Sequence, residues 1–207
     1  LEKFAMHESC PTDALRLGLA DSSTMAMVPD AIAKFRKLYP GVHISIDVND
    51  SHIIEHGILK GHYDLGIVTV SPHPHPMIEE VELFEDMLDV LASKGHRIAE
   101  KEEAAMETLL GETLLIAPRQ SRTRLIIDHA FHSKKLYPRD IIDVYSTVSS
   151  IKLAEIGLGV ALISRTFITE NMKRTRLSHV RLKGDPFKRK VCVARKIGAR
   201  QPESSRV

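Results

Sequence analysis

The sequence predicts an α/β protein of two Rossmann-like lobes joined by two crossover strands, and three observations carry that prediction. Strand and helix patterns alternate as β-α-β-α-β from Ala14 to Val70, and the same order returns between Thr113 and Ser164. The stretches 83–96 and 179–195 are then left to carry the chain from one lobe to the other and back, which implies a hinge and a cleft. Parallel strands joined by right-handed crossovers place all their carboxyl ends along one edge of a sheet.

Each element follows from its local pattern. Leu15, Leu17 and Leu19 alternate as in a short strand, and "DSST" (21–24) follows as a loop able to cap a helix. That helix is expected to reach about Tyr39. Pro29 is tolerated in a first turn, Asp30 suits the positive end of the dipole, and Ile32, Phe35 and Leu38 share a face before "YPG" stops it. Val42, Ile44, Ile46 and Val48 alternate with His43, Ser45 and Asp47 as in a half-buried strand. "NDS" (49–51) ends it and can cap a second helix that bears Ile53, Ile54, Ile58 and Leu59 and is closed by Gly61. "YDLGIVTV" (63–70) reads as a buried strand.

In the second half, "TLLIA" (113–117) is a strand that leads into the loop "PRQSRT" (118–123). Ile126, Ile127, Ala130 and Phe131 mark a helix, and "DVYS" (143–146) a strand. Ile151, Leu153, Ala154 and Ile156 mark a further helix ended by "GLG", and "VALIS" (160–164) is the last buried strand. The halves share an architecture without a detectable sequence repeat.

Composition narrows the function classes. Charged residues are 27% of the 207 and nearly cancel to +2, so no global basic field argues for nucleic-acid binding by this segment. Cys10 and Cys192 stand far apart and outside any CxxC spacing, so neither a disulfide framework nor a zinc module is expected, and a reducing cytoplasm fits. No apolar run approaches the about 20 residues needed to cross a bilayer, and no signal-peptide core is present at the start.

The strand-end loops are rich in hydroxyls. Ser22, Ser23, Thr24, Ser51, Thr69, Ser71, Gln120, Ser121, Thr123, Thr147 and Ser149 are the candidate effector-binding residues, supplying hydroxyls and one amide beside helix starts with free N–H groups. Such a set suits a small anion such as a carboxylate, although each Ser or Thr also reads as a helix cap. Arg119, Arg122 and Arg124 add guanidinium groups able to pair bidentately with it. No G-x-S-x-G, HExxH, P-loop or GxGxxG motif occurs, so no catalytic residue, cofactor or enzymatic activity is expected. His52 and His56 stand four apart on one helix, with His43, His62, His73 and His75 nearby, and they read as solvated rather than as a metal site. "SPHPHPM" (71–77) reads as a stiff rim after the third strand.

Several motifs, in order, resemble the effector-binding domain of LysR-type transcriptional regulators. They are "LRLGLA", the "VP…AKFRKLYPGV" helix with its stop, "ILKGHYDLGIV", "DVLASKGHRIA" and "SSIKLAEIGLGVALIS". The resemblance runs from about Ala14 to Arg195. It departs from the family at Ser164, where proline is usual.

The resemblance implies a type II periplasmic-binding-protein-like fold with lobe I at 13–86 plus 181–207 and lobe II at 87–180. Residues 1–12 would be the tail of a linker or disordered, and the DNA-binding winged helix-turn-helix would be absent from this chain. The implied function is a cytoplasmic sensor that binds a small, anionic metabolite between the lobes and controls transcription through a homodimer or, in full length, a homotetramer. The helix at about 26–38 would then face the partner's second lobe, DNA would be met only through the missing N-terminal domain, RNA polymerase is a candidate contact, and no membrane is involved. The competing readings are a transporter's solute-binding protein and an enzyme on the same fold.

Overall fold

A computed structural model describes residues 14–20, 28–171 and 176–198. The chain divides into two compact units, 1–84 with 191–207 and 85–190. Residues 181–190, assigned to lobe I by the resemblance, group with the second unit. The reason is that β9 (Leu177–Leu182) pairs with β4 (Ile78–Ser93) and β5 (Glu103–Ala104), and Phe187 enters the second unit's core.

In the first unit, β1 (Ala14–Ala20) is flanked by β2 (His43–Asn49) and β3 (Leu65–Thr69), both parallel to it. The last strand, β10 (Lys188–Lys196), joins β3 antiparallel. Helix α1 (Val28–Leu38) precedes β2, and α2 (Ser51–Lys60) ends at Gly61, whose left-handed φ of 77° suits a residue without Cβ. Helix α2 lies close on the sheet because β1 and β3 present glycines beneath it. A Cβ on Gly18 or Gly66 would stand 2.7 and 2.6 Å from Cγ2 of Ile54. One departure concerns β2: Ile46 and Val48, expected in the core, are 46% and 55% exposed.

In the second unit, β8 (Val160–Ser164) is central. It pairs parallel with β6 (Thr113–Ile116) and antiparallel with β4, while β7 (Asp140–Asp143) lies outside β6. Successive side chains point to opposite faces, and both faces are covered. Leu114, Ile116, Val160 and Leu162 pack with Ile127 and Phe131 of α3 (Arg122–Ser133). Leu115, Ala161 and Ile163 pack with Ile151 and Ala154 of α4 (Thr147–Glu155) and Ile168 of α5 (Arg165–Asn171). That two-sided burial is why these strands read as continuous apolar runs. The strand expected at 143–146 sits instead at Asp140–Asp143. Its register with β6 ends at Asp143, and Ser146 is taken by the α4 cap.

Candidate functional site

The carboxyl ends of β1, β2 and β3 define one candidate edge in the first unit. Ser22, Ser23 and Thr24 lie outside the described residues. Ser51 opens α2 and is buried, and its Oγ accepts a hydrogen bond from the Thr69 N–H at 3.2 Å. Helix start and strand end are thereby tied together, with Thr69 itself buried. Asp50 holds the cap position in extended conformation without a side-chain cap bond. Ser71 closes a local turn: its N–H donates to Glu80 Oε1 at 3.3 Å, and its Oγ accepts from the His73 N–H at 3.2 Å. His75 Nδ1 accepts from the Met77 N–H at 3.1 Å. The rim is therefore not the extended segment that its prolines suggest: it bends at 72–73 and turns at 76–77, where the Ile78 N–H donates to the His75 carbonyl at 2.9 Å, and His73 and His75 are exposed.

The corresponding edge of the second unit is formed by the ends of β6, β7 and β8. Loop 117–121 carries exposed Arg119 and Gln120, and Ser121 holds the α3 cap position, 8% exposed and with no side-chain cap bond. Thr123 is the second residue of α3, and its buried hydroxyl accepts from Arg189 Nη1 at 2.8 Å. Arg124 is also buried. Its Nε donates to Asp128 Oδ1 at 2.8 Å, and its Nη1 to Asp143 Oδ1 at 2.5 Å and to the Ala117 carbonyl at 3.1 Å. Burial lowers the Arg124 pKa, but the bonds to Asp128 and Asp143 outweigh it and the guanidinium stays charged. Arg124 therefore clamps the ends of β6 and β7 to α3 from beneath and is not a surface ligand.

At α4, the Ser146 hydroxyl accepts from the Ser149 N–H at 3.4 Å, leaving Ser149 exposed and Thr147 half-buried. Ser164 is buried and accepts from the Phe167 N–H at 3.1 Å, so it caps the start of α5. His52 and His56 lie on the exposed face of α2, and among the described residues no group of three His, Cys, Asp or Glu is placed to hold a metal ion.

Two buried ionic groups at the second unit's edge were not anticipated. Asp86 Oδ2 accepts from Arg189 Nε and Nη2 at 3.0 and 2.9 Å. Asp89 accepts from Arg165 Nε and Nη2 at 2.7 and 3.0 Å and from the Leu182 N–H at 3.3 Å, with His179 Nε2 2.7 Å away. The available signal was a carboxylate inside an apolar run, "MLDVLA", which demands a partner when the strand is buried. The partners come from far along the chain, and no local pattern names them.

A family model described as "LysR substrate binding domain" matches residues 10–207. Among curated relatives, the chain is 25% identical over 179 residues to the HTH-type transcriptional regulator CysL of Bacillus subtilis, covering 84% of this chain and 59% of that one. It is 26% identical over 176 residues to the regulator CbbR of Rhodospirillum rubrum, covering 85% and 57%. The chain thus spans less than two thirds of these relatives' length. Among solved structures, the effector binding domain of QuiR in complex with shikimate has a TM-score of 0.80 at 17% identity, covering 93% of this chain and 92% of that one. The Synechocystis CcmR regulatory domain in complex with 2-PG has a TM-score of 0.77 at 23% identity, covering 90% and 88%. These likenesses show a shared fold, the type II periplasmic-binding-protein-like arrangement of effector-binding domains.

Proposed function

The chain belongs to the LysR substrate binding domain family, and from that premise we propose that it senses a small anionic metabolite at the carboxyl-end loops of its units and thereby controls the DNA binding of a LysR-type transcription regulator. The observation that carries the anion is the 117–121 loop. It presents Arg119, Gln120 and a Ser121 that makes no cap bond with its side chain, all at the positive end of the twelve-residue helix α3. Arg124 holds this loop rigid from below, so little order has to be created on binding. Ser71, Thr147 and Ser149 complete the proposed contacts, with Ser22, Ser23 and Thr24 kept in the set on sequence grounds. Ser51, Thr69 and Thr123 act by holding these loops in place.

A metabolite with different affinities for two arrangements of the domain shifts their populations, and contacts with a second copy pass the shift to the DNA-binding part. Self-association is supported by the exposed apolar residues of α1 and β2: Leu38, Ile46 and Val48. The relatives being transcription regulators supports a non-enzymatic role. Among the described residues, no helix is long and apolar enough to cross a membrane.

The test is a thermal-shift screen of carboxylates, phosphates and their uncharged analogues on this chain. A ligand at 100 times its Kd adds roughly 2.7 kcal/mol of stability. The reading expects anionic hits whose effect is weakened in Gln120→Ala and Ser121→Ala. A panel in which only uncharged compounds stabilise the chain would refute it.

A further inference from the structure

Asp86 and Arg189 stand where the chain passes between its two units: Asp86 beside the outgoing boundary at 84–85, Arg189 beside the return at 190–191. Both are buried, at 1% and 2% exposure, and the guanidinium spends Nε and Nη2 on one carboxylate oxygen, at 3.0 and 2.9 Å. The remaining arm, Nη1, donates to Oγ1 of Thr123 at 2.8 Å, in the first turn of α3 directly after the 117–121 loop. The other carboxylate oxygen of Asp86 accepts from the Thr166 N–H at 3.3 Å and its Oγ1 at 3.0 Å, at the start of α5. One ion pair therefore joins both crossover strands to two of the three helix starts at the second unit's carboxyl edge, those of α3 and α5.

A buried pair of this kind is poorly explained by stability, because apolar residues of the same volume serve as well or better. Its geometry serves specification instead. Any change in how β4 and β10 run through residues 85–86 and 189–190 must break or re-aim the fork that holds Thr123, and a shift of α3's first turn pulls on the same fork from the other side. We infer that Arg189 is the positioning residue of the response: through Thr123 and Asp86 it couples an anion at the 117–121 loop to the two crossover strands. This rests on the anion reading of that loop and adds the route by which its occupancy reaches the rest of the chain.

The test supplies the anion covalently, so that it does not depend on knowing the metabolite. Gln120→Cys is made in a Cys10→Ser background, with Cys192 buried, and is alkylated with iodoacetate to place a carboxylate on the loop. Amide hydrogen exchange is then compared with and without the carboxymethyl group. With Arg189 present, exchange slows at 121–124 and changes fivefold or more at 85–89 and 187–190. In Arg189→Lys, which can still pair with Asp86 but not fork to Thr123 as well, the slowing at 121–124 persists and the strand effect falls below twofold. Asp86→Leu/Arg189→Met replaces the pair with apolar residues, keeps the test available if the lysine variant unfolds, and should behave the same way. Thr166→Val leaves the Arg189 fork intact and should retain the strand effect, which separates coupling from a general weakening of the Asp86 pocket. An undiminished strand effect in the Arg189 variants overturns the inference, as does an equal loss in Thr166→Val. Slowing at 121–124 with no strand effect in the parent also overturns it while leaving the anion reading standing. No response at either place removes the anion reading and the coupling with it.

Discussion

His179 Nε2 lies 2.7 Å from Oδ2 of Asp89, a carboxylate whose side chain has no exposed surface and which also receives both arms of Arg165. Burial by itself raises the pKa of Asp89, but the hydrogen bonds from His179 and Arg165 outweigh it and hold the carboxyl below its ordinary value. A depressed folded-state pKa contributes stability that is present above the unfolded value, about 3.9, and is lost as the pH falls through the folded one.

Urea unfolding between pH 2 and 7 should therefore show stability falling steeply on the acid side of about pH 4. Asp89→Asn should remove that residue's share of the slope. At pH 7 it should cost about 2–3 kcal/mol, since Arg165 loses its buried partner but, 25% exposed, keeps its pair with Asp185. An Asn variant with the parent's slope below pH 4 would show that other carboxylates govern acid unfolding.

Arg124→Met makes an instructive contrast with the buried pairs. Asp128 and Asp143 are 50% and 42% exposed at their side chains, so water can solvate them when the guanidinium goes. The loss is that of charged hydrogen bonds rather than of a stranded buried ion, about 2 kcal/mol by chemical denaturation. A loss above about 4 kcal/mol would mean the carboxylates are far less hydrated than their exposure indicates.

Gly159→Ala should destabilise by about 2–3 kcal/mol, because the added Cβ would stand 2.3 Å from the Thr113 carbonyl oxygen, which is backbone at the start of a strand paired on both sides. Gly41→Ala meets nothing within 4 Å and should be neutral or slightly stabilising. Similar melting shifts for the two would contradict the close β6–β8 approach at this point.

Ser51→Ala removes the acceptor that joins the start of α2 to the Thr69 N–H. The expected cost is about 1 kcal/mol, with faster amide exchange at Thr69 and no change in the second unit. Unchanged exchange at Thr69 would show that this bond does not hold in solution.

Val48→Lys tests the exposed face of β2. If Ile46 and Val48 are covered by a second copy, the variant should weaken self-association in sedimentation experiments by tenfold or more while its melting temperature stays within a few degrees. Self-association at the parent's strength would place the contact elsewhere.

The alternation of Leu15, Leu17 and Leu19, the Gly61 stop and the run "VALIS" were legible because each depends only on neighbours along the chain. The carboxyl-end loops followed from the strand order, since parallel crossovers leave little choice about where loops emerge. The sequence alone thus determined most element types, the edge where the candidate loops emerge, and, by resemblance, the family that the match over residues 10–207 shows.

What the tertiary structure decided was the task of each polar group at that edge. Ser51 and Thr123 look like ligand hydroxyls in the sequence, yet one is used by Thr69 and the other by Arg189, because burial obliges each polar group to find whichever partner the fold brings near. Arg124, one of three arginines able in the sequence to pair with an anion, is a clamp in the fold for the same reason. Asp86, Arg165, His179 and Arg189 carried no local signature, and Asp89, a carboxylate inside an apolar run, carried none that named its partners. Their pairing joins strands and helices distant in sequence, so only the packed fold selects which charge meets which.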